Sequence, residues 1–126
     1  MPKTVPVLPG IEPSSFPFSQ VVEANGFVFV AGQVGEVPGG HGAVPGGIVP
    51  ETRAMLDNVG RLLRAVGLDF ADVVKATVYL RDFGDFAEFN KVYREYFPTE
   101  PPTRATVGVT ALAADFRVEI EVLAVR

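Results

Sequence analysis

A chain of 126 residues, 48% hydrophobic and 21% charged, suffices for one domain with its own core and is too short for two. With no cysteine and a single histidine, His41, it offers no disulfide framework, no thiolate nucleophile, no iron–sulfur ligands and no multi-histidine metal site. Lys+Arg 11 against Asp+Glu 15 leaves a net charge of −4, the wrong sign for gripping phosphate backbones, so no nucleic acid is expected as a partner.

The opening Met1-Pro2-Lys3-Thr4 has one cation and no apolar run behind it, which predicts no secretory signal. Ser19–Ala24 and Phe27–Ala31 flank Asn25-Gly26, a pair that tolerates the positive φ angles of a type I′ turn, and so predict a β-hairpin. Gly35 to Pro50 is rich in Gly and Pro and predicts a long loop. From Glu51 to Val66 the residues Met55, Leu56, Val59, Leu62, Leu63 and Val66 recur at helical spacing, and Gly67 supplies a left-handed stop. Val73 to Arg81 alternates as a strand, with Val74, Ala76, Val78 and Leu80 on one face. Asp85 and Glu88 have the spacing of a capping box, and Phe86, Phe89, Val92, Tyr93, Tyr96 and Phe97 form the apolar side of a second helix that Pro98, Pro101 and Pro102 stop. Thr103–Val109 and Arg117–Val125 close the chain as strands.

The order β-β-α-β-α-β-β predicts a single α+β domain over residues 1–126, a mixed sheet with both helices on one face. Its other face needs a cover. Mean hydropathy of +0.26 is high for so small a domain, which points to an apolar contact patch and a homo-oligomer. The longest apolar runs fall far short of the ~20 residues that span a bilayer, so no membrane segment is predicted and the chain reads as cytoplasmic.

Candidate chemistry is sparse. In the last two strands Arg104, Thr106 and Gly108 share one face, as do Arg117, Glu119 and Glu121. If those strands pair, Arg104 comes near a carboxylate. A guanidinium fork beside an anion would suit a small carboxylate-bearing or zwitterionic molecule, although alternation alone favours a salt bridge on a wet sheet face. His41, among Gly39, Gly40 and Gly42, has nothing near it in sequence to fix a tautomer and reads as an exposed loop residue. The glycines lack the Gly-Lys-Ser/Thr of a phosphate cradle, and the ten phenylalanines, without interleaved basic residues, read mostly as core.

Pro102-Thr103-Arg104-Ala105-Thr106-Val107-Gly108-Val109, followed by Val118-Glu119-Ile120-Glu121, resembles the RidA/YjgF family of imine and enamine deaminases. Pro17-Phe18-Ser19-Gln20, Val28 through Gln33, Thr52 through Leu63, Asp72-Val73-Val74-Lys75 and Asp85-Phe86 through Asn90 and Tyr93 agree in order and spacing. The resemblance implies a chorismate-mutase-like fold, a homotrimer whose sheets face inward as a barrel, and active-site clefts between neighbouring subunits. It implies cofactor-independent hydrolysis of 2-imino acids or enamines of the 2-aminoacrylate type to 2-keto acids and ammonia, with no metal. Arg104 would hold the substrate carboxylate and Glu119 would position the water, with Glu121 its rival on the same face. Phe18, Ala31, Gly32, Asn90 and Thr106 would line the substrate pocket.

Four positions depart from the common pattern, each at the cost of a polar group: Phe18 for tyrosine, Ala31 and Ala105 for serine, and Thr106 for cysteine. Activity slower, or shifted toward more apolar imino acids, is expected from the lost phenol. The competing reading is a non-catalytic member of the fold that binds small carboxylates as a regulator. The ribonuclease activity attributed to some relatives fits the acidic charge poorly.

Overall fold

A computed structural model describes residues 2–37 and 39–126. Strand β1 (Val21–Ala24) turns into β2 (Phe27–Val34) through Asn25 (φ 52°) and Gly26 (φ 79°), the two left-handed residues that a type I′ hairpin demands. Both strands are shifted from the expected spans: β1 starts at Val21 rather than Ser19, and β2 runs on to Val34 through a bulge between Val30 and Gln33.

The expected loop from Gly35 ends before Pro50, because helix α1 (Ile48–Ala65) starts at Ile48 rather than Glu51; Pro38 lies outside the described residues. Gly47, at φ 90°, opens the helix, and Pro50 sits in its first turn, where the missing N–H would have had no intrahelical acceptor. The predicted stripe is borne out, with Met55, Leu56, Val59, Leu62 and Leu63 all fully buried, and Gly67 (φ 82°) follows the last turn.

A 3₁₀ turn (Phe70–Asp72), closed by reciprocal capping between Asp69 and Asp72, leads into β3 (Val73–Leu80). Val73 is buried and Val74 exposed, the reverse of the expected alternation, because a bulge between Val73 and Lys75 resets the register against β5. Helix α2 (Phe86–Tyr96) has no capping box at Asp85 and Glu88. The Asp85 carboxylate instead meets Arg117 Nη1 at 3.2 Å, and a 3₁₀ turn over Phe83–Asp85 precedes the helix, its Gly84 N–H donating to Asp82 Oδ1 at 2.9 Å.

Strands β4 (Thr103–Gly108) and β5 (Val118–Val125) complete a five-stranded sheet of order β1-β2-β5-β3-β4, in which only β3 and β4 are parallel. The two final strands therefore do not pair. The β3–α2–β4 crossover lays β4 alongside β3, while β5 enters between β2 and β3, so β3 separates Arg104 from the carboxylates of β5. One apolar core takes in both helices and one sheet face, including Val28, Val30, Ala76, Val78, Ile120 and Ala124. The α+β fold with two helices over a mixed sheet is thus as predicted. The phenylalanines are not mostly core: Phe89, Phe97 and Phe116 are buried, but Phe16, Phe18, Phe27, Phe29 and Phe83 are exposed, Phe27 and Phe29 because alternation turns them to the sheet's uncovered face.

Glu51, only 2% exposed, fastens α1 to this sheet. Its Oε2 accepts the N–H of Arg117 at 2.6 Å and of Val118 at 3.3 Å, fixing the first residue of β5. Burial holds its carboxyl above the ordinary glutamate range, against the pull of those N–H donors and of the nearby guanidinium groups. Because the folded state then binds the proton more tightly than the unfolded chain, the stability that protonation of Glu51 supplies declines as pH rises from the ordinary range through the raised value. Glu51→Ala leaves two N–H groups without their acceptor and is expected to cost about 2–5 kcal/mol. Glu51→Gln, which keeps one acceptor and removes the charge, costs less and flattens that part of the pH profile; denaturant unfolding at mildly acidic and neutral pH checks both.

Candidate active site

The register of β4 puts Arg104 opposite Ala76, on the helix-covered face at the sheet's edge, under α2. Three rings hold its guanidinium: Cζ lies 4.6 Å from the centroid of Tyr93, 5.4 Å from Phe89 and 5.7 Å from Phe86. Among the described residues no carboxylate pairs with it and its guanidinium makes no hydrogen bond. A cation held by aromatic faces keeps its N–H edge for something else. Arg104 opens onto a cleft of about 380 Å³ between α2, which contributes Asn90, Tyr93 and Arg94, its C-cap Phe97, and the Pro101-Pro102 segment before β4.

Asn90 therefore joins Arg104 as expected. Thr106, two residues along the same face, has a buried hydroxyl with no partner, as does Tyr93, which is 5% exposed. Burial raises the Tyr93 phenol above its ordinary value, and the guanidinium pulls it part of the way back without a geometrically formed hydrogen bond between them. By helical spacing alone Tyr93 reads as core. Its spacing, three residues after Asn90 and on the helix face that covers β4, was the available signal. If the ring poises Arg104, Tyr93→Phe should retain carboxylate affinity, whereas Tyr93→Leu should lose about 0.5–2 kcal/mol of it, as read by titration calorimetry with a small 2-keto acid.

Glu119 is elsewhere. Val118 and Ile120 point into the core, so Glu119 and Glu121 face the uncovered side of the sheet, opposite to Arg104. The β2 bulge brings Gly32 directly beneath the Glu119 side chain, where a Cβ would collide with a carboxylate oxygen, so the glycine is required for that side chain's placement. Burial raises the Glu119 carboxyl above the ordinary glutamate value, and the neighbouring charge of Glu121 raises it further. The two carboxylates differ in their partners: Tyr79 Oη donates to Glu121 Oε1 at 2.9 Å, whereas Glu119 has no hydrogen-bond partner among the described residues. Ala31 lies in the same bulge, its N–H donating to the Gln20 carbonyl at 2.9 Å and its carbonyl accepting from Gln33 Nε2 at 3.1 Å.

Phe18, half exposed, lines a separate groove of about 370 Å³ with Val7, Leu8, Ile11 and Pro13, beside β1 at the far edge from Arg104. His41 is exposed, as expected. One protomer thus carries two separate groups: Arg104, Asn90 and Thr106 on the helix face at one edge, and Glu119, Gly32 and Ala31 on the uncovered face.

The structure is thus that of a small α+β protein with an arginine in an aromatic cleft, unpaired among the described residues, and a carboxylate set over a glycine on the opposite sheet face. The chain belongs to the RidA/YjgF family: residues 11–126 match the sequence model described as endoribonuclease L-PSP. Proteins named 2-iminobutanoate/2-iminopropanoate deaminase are 46% identical in goat (Capra hircus) and 40% in human, each over 110 residues covering 87% of this chain and 80% of the relative. Among solved structures, yeast Mmf1 superposes with a TM-score of 0.91 at 34% identity, covering 99% of each chain. Escherichia coli TdcF with bound serine gives 0.84 at 35% identity, covering 92% of this chain and 93% of its own.

Proposed function

We propose that this protein hydrolyses 2-imino acids to 2-keto acids and ammonia without a cofactor, at a site assembled from two copies of the chain. The observation that carries the reading is Arg104, a guanidinium caged by three rings, opening onto a cleft and lacking any anionic partner among the described residues. Such a group suits a substrate carboxylate, which it can meet with two parallel N–H donors. Close relatives named as imine deaminases, and a solved relative holding serine, support a small α-nitrogen carboxylate as the ligand.

Two half-sites on opposite faces cannot serve one small molecule within a protomer. A neighbouring copy that presents its Glu119 and Gly32 to the Arg104 cleft would unite them. Closure of three such copies into a trimer would also cover Phe27, Phe29 and Val107, which lie 44%, 47% and 41% exposed on the uncovered sheet face.

The chemistry asks little of the protein. Water oxygen bonds to the imine carbon, a proton passes to nitrogen, the carbon–nitrogen bond breaks and ammonia leaves, giving the 2-keto acid. Arg104 holds the carboxylate, and ionised Glu119 accepts a hydrogen bond from the attacking water and fixes its approach. That is catalysis by placement and charge on a substrate that already reacts in water. Ala31 brings no hydroxyl to the Glu119 side of this site, so turnover rests on one donor fewer.

The test is an imine generated in place by an amino-acid oxidase with semicarbazide as competing trap. The protein is expected to divert the imine to keto acid and suppress semicarbazone. No diversion, together with tight binding of 2-oxobutanoate, would replace this reading with that of a carboxylate-binding regulator. RNA cleavage has little electrostatic support in a chain of net charge −4.

A further inference from the structure

A second arginine, the exposed Arg94, lines the Arg104 cleft. Arg94 lies one helical turn beyond Asn90 on α2, and both line the cleft. A cation in the last turn of a helix is ordinary, because it complements the carbonyl end of the dipole. What sets Arg94 apart is the cleft that it lines together with Arg104. Arg53, Arg64, Arg117 and Arg126 each meet a carboxylate, whereas Arg94 and Arg104, like Arg61 and Arg81, meet none among the described residues. The cleft is also free of acid: in a chain with Asp+Glu 15 and Lys+Arg 11, its lining carries two arginines and no carboxylate. Asn90 adds an amide, and Tyr93 and Phe97 add aromatic surface to the same lining.

Two guanidinium groups around one cavity are more than a single carboxylate requires. We infer that Arg94 is a specificity-determining residue and that the preferred substrates are 2-imino dicarboxylic acids, the C1 carboxylate held by Arg104 and the distal one by Arg94. This rests on the imine-hydrolase reading. The distal carboxylate is a spectator to the reaction, so the bonds made and broken are those already described. Its contact acts on selection among substrates, with a charge-assisted pair worth about tenfold or more.

The experiment compares kcat/KM for 2-iminoglutarate, generated by glutamate oxidase, with that for 2-iminobutanoate, in wild type, Arg94→Gln and Arg94→Lys. The ratio is expected to favour the dicarboxylic imine in wild type, to fall about tenfold in Arg94→Gln and to recover in part in Arg94→Lys. An unchanged ratio, or an equal loss toward both imines, overturns the inference while leaving imine hydrolysis standing. If wild type accelerates neither imine, the hydrolase reading fails, and calorimetry with succinate and butyrate decides the rest. Tighter succinate binding that is lost in Arg94→Gln retains Arg94 as the selector for dicarboxylates; equal affinities discard it.

Discussion

Arg104→Ala is expected to abolish diversion of imine to keto acid while leaving the fold intact. The side chain is half-buried on an edge strand and makes no hydrogen bond through its guanidinium among the described residues, so its removal leaves no buried carboxylate or carbonyl stranded. What the variant loses is the anchor. Truncating one side of a hydrogen-bonded charge pair costs about 2–5 kcal/mol, which corresponds to roughly 30- to several-thousand-fold in kcat/KM. Arg104→Lys should recover little of it, since an ammonium keeps the charge but loses the planar fork and stacks poorly against Tyr93 and Phe89. Far-ultraviolet circular dichroism and thermal unfolding close to wild type, with kcat/KM collapsed, is the expected pair of results. Wild-type kcat/KM in Arg104→Ala would remove the cleft from the reaction.

The fold was legible where spacing reports burial directly. The α1 stripe and the Asn25-Gly26 turn were readable because helical periodicity and the left-handed dipeptide are local. What was missed depends on neighbours distant in sequence. Alternation correctly grouped Arg104 with Thr106 and Glu119 with Glu121, but face membership is relative to a partner strand. Only the sheet order, with β3 between β4 and β5, shows that the first pair looks toward the helices and the second away from them. Val74 was misplaced by a bulge, which no period-two pattern contains. Asp85 had capping-box spacing, but a tertiary partner, Arg117, took its carboxylate. The resemblance named Arg104, Asn90 and Glu119 individually; that they fall into two groups on opposite faces appears only when the backbone is folded.

That division makes Glu119 the residue whose variants test most. Ionised, it can orient water as an acceptor; protonated, it cannot. Burial first, and then the charge of Glu121, raise its carboxyl above the ordinary value, so the acid limb of kcat/KM should lie above that of an unperturbed glutamate. Glu121→Gln removes the like charge and should move the limb to lower pH, with the amide oxygen still able to accept from Tyr79. Glu119→Gln should abolish the limb and lower kcat by about 10²-fold or more, with a smaller effect on 2-keto acid binding, because Arg104 still holds the carboxylate. Gly32→Ala should imitate it in part by driving a methyl group into the Glu119 carboxylate. The decisive result comes from mixing. If each site takes Arg104 from one copy and Glu119 from its neighbour, co-refolding equal amounts of Arg104→Ala and Glu119→Gln should restore activity, with about a quarter of the interfaces carrying both intact groups by random assortment. Should each half-site act within its own protomer, no mixture of the two variants would regain activity, and the composite site would have to be given up.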